Sequence, residues 1–369
     1  MRLGIRLKFV IMKIVKCLLV FLLIVSCQEN KKAKTEKKAA LIHSKIDSLN
    51  TEAQVQQFVR ENNTNFKKFE LRKIANFNRV HNSNDEDSLI KILAKKLKID
   101  KSFYKADIDS NGLTDLVVIG DNYTCETSND NNESVSCDFS VFALMNFGKY
   151  SILYKDLEKD HRTPIVPKID KVNGIPILSI SNVEYDYDER GKQKIRYIST
   201  VLAYKYGAFI EYQKQKEMHS IEKIEFSASA CYGECPIFKL ELTKDNKAVL
   251  WAEAYNYNIS YPRTAEEFKK RKELKGKYNS IITHDKYNEI IDLINYLNIE
   301  KLEKSYTVYA TDNPSSLLKI TYDNGKVKSI DDYGINGTRG LTRLYDMLFD
   351  LRFNQKWNQV SKQVEVKLY

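Results

Sequence analysis

The sequence is poor in what enzymes most often build on. It holds 13 glycines in 369 residues, and none of them forms a phosphate-cradling loop or a Gly-x-Ser-x-Gly turn. No His-Glu-x-x-His occurs. The five histidines, His43, His81, His161, His219 and His284, stand far apart, so zinc-ligand spacing is missing. No repeat period emerges, so a solenoid or propeller is not supported. Acidic residues are missing from the first 26 positions, and that absence directs attention to the N-terminus.

What is present is the composition of a folded chain: 43% hydrophobic and 11% aromatic residues. Its length suits two domains. Tyrosine outnumbers phenylalanine, 23 to 16, which favours β-rich structure with half-buried faces.

Residues 1–26 carry Arg2, Arg6, Lys8, Lys13 and Lys16, then the apolar run Leu18 to Val25, the basic and hydrophobic regions of an export signal. The run is too short to span a bilayer comfortably. Ile24-Val25-Ser26-Cys27 resembles the lipobox of bacterial lipoproteins, although that pattern prefers leucine where Ile24 stands. The resemblance implies lipidation of Cys27 and a lipid-anchored location in the bacterial cell envelope, at the outer membrane. A start at Met12 gives a more compact version of the same signal. Removing residues 1–26 lowers the formal charge from +10 to +5, a mild excess on an exported chain, so nucleic acid is not expected as a partner. Residues 27–44, with QENKKAKTEKKAA, read as a flexible tether.

The fold class expected beyond the tether is α+β: two domains, residues 45–215 (α+β or mostly β) and 216–369 (α+β), each an antiparallel sheet with helices packed on it. Thr51 can cap a helix with Gln54 at capping-box spacing. A second helix fits Asp87 to Leu97, with Leu89, Ile92, Leu93 and Lys96 as its amphipathic face. Short β patterns follow at Leu116 to Ile119, Phe139 to Met145, Ile175 to Ile180 and Ile195 to Tyr204. After a charged stretch, Gln213 to Ser220, strands are expected from Ile221, Phe238 and Ala248. Asp245-Asn246 and Asn324-Gly325 are hairpin turns. Helices are expected around Tyr287 to Leu297 and Leu341 to Leu348.

Cys231, Tyr232, Gly233, Cys235 and Pro236, then Asp312 and Pro314, then Tyr333-Gly334, resemble the marks of a domain family of unknown function that recurs in bacterial envelope proteins. The resemblance covers residues 221–357 and implies architecture, not chemistry.

Two local sites stand out. Asp107, Asp109, Asn111 and Asp115 fall at positions one, three, five and nine of a loop with Gly112 at six. That spacing lets one loop wrap a hard cation. It is similar to the calcium loops of FG-GAP repeats. An EF-hand is excluded because Val118 stands where that motif needs glutamate. The expected cofactor is a structural calcium ion, against the plainer reading of a solvated β-turn. The second site is cysteine. In an oxidising compartment Cys125, Cys137, Cys231 and Cys235 suit two disulfides, with three connectivities open. Cys125 and Cys137 bracket a polar loop that a bond would staple. A bond between Cys231 and Cys235 requires the chain to turn back, with Gly233 free to take a positive φ. Redox chemistry prefers two intervening residues at a helix N-terminus, and here there are three with a strand after them. Trp251, Tyr255, Tyr257 and Tyr261 suit stacking on a sugar or peptide, or plain packing.

These features point to a non-enzymatic envelope lipoprotein that binds a partner protein or a cell-wall or glycan component. The alternatives are a thiol-disulfide oxidoreductase using Cys231 and Cys235, and a calcium-dependent hydrolase.

Overall fold

A computed structural model describes residues 44–76, 84–121, 139–148, 151–158, 165–187 and 189–360. Cys27, the tether and the Cys125 and Cys137 loop lie outside the described residues.

Helix α1 (Glu52–Asn62) opens on the expected capping box. Thr51 accepts the N–H of Gln54, and the Gln54 side chain returns to the Thr51 N–H. The helix buries Val55, Phe58 and Val59 against the first sheet, formed by β1 (Glu70–Leu71), β2 (Phe103–Ala106), β3 (Asp115–Asp121), β4 (Phe139–Asn146) and β5 (Ile152–Asp156). Strands β1 and β2 share one edge of β3, with β4 and β5 beyond its other edge. All seven residues of β3 are buried, because the sheet is covered on both faces. Leu116 and Val118 join the α1 core with Phe66, Phe69 and Phe142; Val117 and Ile119 face the opposite core. Gly120 is required here: a Cβ would lie 2.1 Å from the Glu70 carbonyl oxygen and 2.6 Å from the Phe69 ring.

Helix α2 (Asn84–Lys96) supplies that opposite core through Ile90, Leu93 and Ala94. The face expected from the sequence is rotated: Ile92 is 54% exposed, whereas Ile90 is buried. Positions 90, 93, 94 and 97 make the i, i+3, i+4, i+7 stripe that meets the sheet.

The second sheet is a meander of β6 (Val166–Val172), β7 (Ile175–Tyr187), β8 (Gln193–Lys205) and β9 (Ala208–Glu211). Its first and last turns are the two-residue pairs Asn173-Gly174 and Tyr206-Gly207, with positive φ at all four residues, the twist-matched form for a hairpin.

The third sheet has eight strands: β10 (Ile221–Ala228), β11 (Ile237–Thr243), β12 (Lys247–Ala254), β13 (Gly276–Ile281), β14 (Ser305–Thr307), β15 (Ser315–Tyr322), β16 (Lys326–Tyr333) and β17 (Asn358–Gln359). The order is β14-β16-β15-β10-β11-β12-β13-β17, antiparallel except for β14 on β16. Asp245-Asn246 and Asn324-Gly325 fall in the expected hairpins. A six-residue helix, α3 (Ala265–Lys270), lies between β12 and β13 and buries no residue. Helices α4 (His284–Tyr296) and α5 (Arg339–Asn354) cover one face, where Ile290, Leu293, Leu344, Tyr345 and Leu348 pack on Ile224, Phe226, Leu240, Leu250 and Leu318. The mostly antiparallel, α+β character expected from the sequence is what the chain adopts. Among the described residues no helix is long and apolar enough to cross a membrane.

Strand β9 serves two cores. Phe209 belongs to the α2 core and Ile210 to the third sheet's core, with Tyr206 and Ala208 packed against the latter.

Candidate functional site

The Asp107 loop joins β2 to β3. Asp115, the first residue of β3, is fully buried. Its carboxylate accepts the N–H of Ile108 and of Asn146, both at 2.8 Å. Asp107 accepts from the N–H of Asn111 and Gly112, and Asp109 accepts from the Asn111 N–H and side-chain amide. Positive φ at Ser110 and Gly112 closes the turn. Carboxylate oxygens of Asp107, Asp109 and Asp115 come within 4.8 Å of one another. Such crowding has an electrostatic cost. Burial, reinforced by the charges of Asp109 and Asp107, pushes the Asp115 carboxyl up to about 7 against the pull of its two N–H donors. Burial and Asp107 raise Asp109 as well. The fourth expected ligand, Asn111, is in the same loop. Its amide nitrogen donates to Asp109 and to the Asn146 carbonyl, and its oxygen accepts from Leu113. Three clustered carboxylates form an all-oxygen donor set that fits a hard divalent cation.

Cys231 and Cys235 are joined by a disulfide, with Cα atoms 5.6 Å apart. The loop between β10 and β11 turns back at Gly233, whose φ of +141° favours glycine. Neighbouring segments hold this loop. The Tyr232 N–H donates to the Asp312 carbonyl at 3.1 Å, and Arg271 pairs with Glu234. Farther along, the Gly334 N–H donates to the Pro314 carbonyl at 2.8 Å, and the Asn313 N–H donates to the Tyr333 hydroxyl at 3.2 Å. The Cys-Tyr-Gly, Asp-x-Pro and Tyr-Gly elements, spread over a hundred residues of sequence, are therefore one hydrogen-bonded end of the third sheet.

The face of that sheet opposite the helices carries a groove of about 800 Å³. Strand register sets its floor. One row across five strands reads Leu317, Ser227, Lys239, Trp251 and Lys277; the next reads Lys319, Glu225, Glu241, Val249 and Asn279. Trp251 is half-buried between two lysines, with the Lys277 ammonium 5.1 Å from its ring centre. Glu225 is held by Lys223 and Lys319, and Glu241 by Lys223. Of the four aromatics singled out in the sequence, only Trp251 lines the groove. Tyr255, Tyr257 and Tyr261 lie in the connection after β12, where the Arg271 guanidinium sits 3.6 Å from the Tyr257 ring centre. Lys239 and Lys277 were not expected as site residues. Lys239 alternates with buried Phe238 and Leu240, which marks it as outward-facing, but only the register sets it and Lys277 beside Trp251.

Residues 222–352 match the family model described as "Domain of unknown function (DUF6438)". The match runs from the second residue of β10 into the last turn of α5, so the C-terminal part holds a domain of unknown function, as expected, and β9 lies outside it. No curated protein and no solved structure matches the chain.

Proposed function

We propose that this chain is a non-enzymatic, membrane-anchored lipoprotein of the bacterial cell envelope that binds a cell-wall glycan across the open face of its third sheet. The observation that carries this reading is Trp251 on the floor of the groove, an aromatic face at a position that no core requires. Indole faces stack on the apolar faces of sugar rings, and the flanking Lys, Glu and Asn side chains offer donors and acceptors for hydroxyls. Titrating solubilised cell-wall glycan fragments while following tryptophan fluorescence and heat tests it. The expected result is binding that weakens about tenfold in Trp251→Ala. Equal affinity in that variant, or no binding, overturns it. Mass spectrometry of the protein from membranes tests lipidation of Cys27.

A second reading concerns the Asp107 loop, where the clustering of three carboxylates within 4.8 Å favours a structural calcium ion. Asp107, Asp109 and Asp115 would hold it, with Asn111 offering its oxygen if the amide turns over. A calorimetric titration showing no heat at millimolar calcium would remove this reading. For Cys231 and Cys235 the surroundings favour a brace over a redox pair. The bond closes a strand-to-strand loop whose neighbours lean on it, and no helix begins there to lower a thiol pKa.

A further inference from the structure

Three connections meet at one end of the third sheet: residues 229–236 after β10, 255–275 after β12 and 308–314 before β15. Each holds large aromatic side chains out in water. Tyr232 is 88% exposed, Tyr261 83%, Phe268 66%, and Tyr309 fully so. Isolated exposed aromatics need no explanation, but four on adjoining loops do. Helix α3 sharpens the point, since it buries nothing and presents Phe268 outward.

These loops are braced. The Tyr232 N–H is tied to Asp312, and Ser229 exchanges hydrogen bonds with Ser315 at 2.9 Å. Arg271 links Glu234 of the first loop to the carbonyls of Ile259 and Ser260 in the second and lies over Tyr257. The aromatics therefore stand on a preorganised scaffold and lose little loop entropy on docking.

We infer that this end of the domain docks on an anionic lipid surface. Shape and charge choose the occupant. The four side chains stand out from the loops into solvent, which suits a deformable surface better than a compact ligand. Tyrosine carries an apolar ring and a polar tip, the combination that settles at headgroup depth. The same stretch bears Lys269, Lys272 and Lys275, exposed and without a carboxylate partner among the described residues, which complement phosphate headgroups. The inference is independent of the Trp251 groove and of lipidation at Cys27.

The test is hydrogen exchange of the full, unacylated chain with phosphatidylcholine vesicles and with vesicles containing one-third phosphatidylglycerol. Because exchange is resolved by peptide, any contact made by the basic N-terminal stretch is read separately. The expected result is protection of amides in 257–275 and 308–313 on the anionic vesicles alone, lost at high salt. Phe268→Ser with Tyr309→Ser should abolish it. Lys269→Glu with Lys272→Glu should weaken the loop-dependent binding at least about tenfold. Both pairs are on the surface, and an unchanged melting temperature confirms that they fold. No protection, equal protection on neutral vesicles, or protection unchanged in the variants overturns the inference. Protection of the same loops by soluble glycan without vesicles also overturns it.

Discussion

The Glu211 carboxylate accepts the backbone N–H groups of Arg339 and Gly340, at 2.7 and 2.9 Å, so the end of β9 caps the first turn of α5 from 128 residues earlier in the chain. The family match begins at residue 222, yet this cap and the buried Ile210 both come from before it. Four unsatisfied N–H groups open any helix, and a carboxylate there is favoured by both hydrogen bonding and the helix dipole. Glu211→Ala is expected to cost about 1–2 kcal/mol, read from the urea midpoint. A fragment spanning 200–369 should hold its fold better than one spanning 216–369. Equal midpoints for the two fragments would show that β9 is dispensable.

Closing the five-residue loop from Cys231 to Cys235 restricts the unfolded chain modestly. The chain-entropy relation gives about 2 kcal/mol. Cys231→Ser with Cys235→Ser should lower the denaturation midpoint by that amount while leaving the sheet intact. The local effect should be larger: the Tyr232 amide, which donates to the Asp312 carbonyl, should exchange faster, since that hydrogen bond depends on the turn at Gly233. A variant whose exchange changes only far from this loop would contradict the bracing role.

Features written in consecutive residues were legible from the sequence. The Thr51 and Gln54 capping box, the Asn324-Gly325 hairpin and the Asp107 turn are each closed by contacts a few positions apart. Phase and register were not. Periodicity shows that α2 has an apolar stripe, but whether Ile90 or Ile92 lies at its centre depends on where the sheet stands. Likewise Trp251 is recognisable as a strand aromatic, whereas its place between Lys239 and Lys277 follows from the pairing of three strands. The Glu211 cap has no local signature, because its partners belong to a helix at the other end of the chain.

Gly120 and Gly174 separate two reasons for glycine. At Gly174 a Cβ would meet nothing within 4 Å, but φ is +81°, so alanine there should cost about 1 kcal/mol through backbone strain. At Gly120 the added Cβ would collide with the Glu70 carbonyl and the Phe69 ring, and neither can withdraw without separating β1 from β3. Gly120→Ala is expected to cost about 2–3 kcal/mol, measured by urea denaturation. A ranking with Gly174 the costlier would mean that the β1 edge is free to give way.

The Asp115 carboxyl gives the Asp107 loop a pH signature whose direction follows from linkage. Its folded pKa, about 7, lies above the ordinary aspartate value, so the folded state holds the proton more tightly than the unfolded chain does. In metal-free protein the contribution of this group is most favourable at low pH. It is lost as pH rises from about 4 through 7, and is level beyond. Asp115→Asn should flatten that slope, seen in melting temperature between pH 5 and 8 in a chelating buffer. If calcium binds the ionised cluster as proposed, it must displace the proton, and the trend reverses. Its affinity should therefore rise through the same window, by about fiftyfold between pH 5 and 7 for a carboxyl that titrates at about 7. Calorimetry in two buffers of different ionisation heat counts that proton directly. A calcium affinity that ignores pH would place the ion away from Asp115.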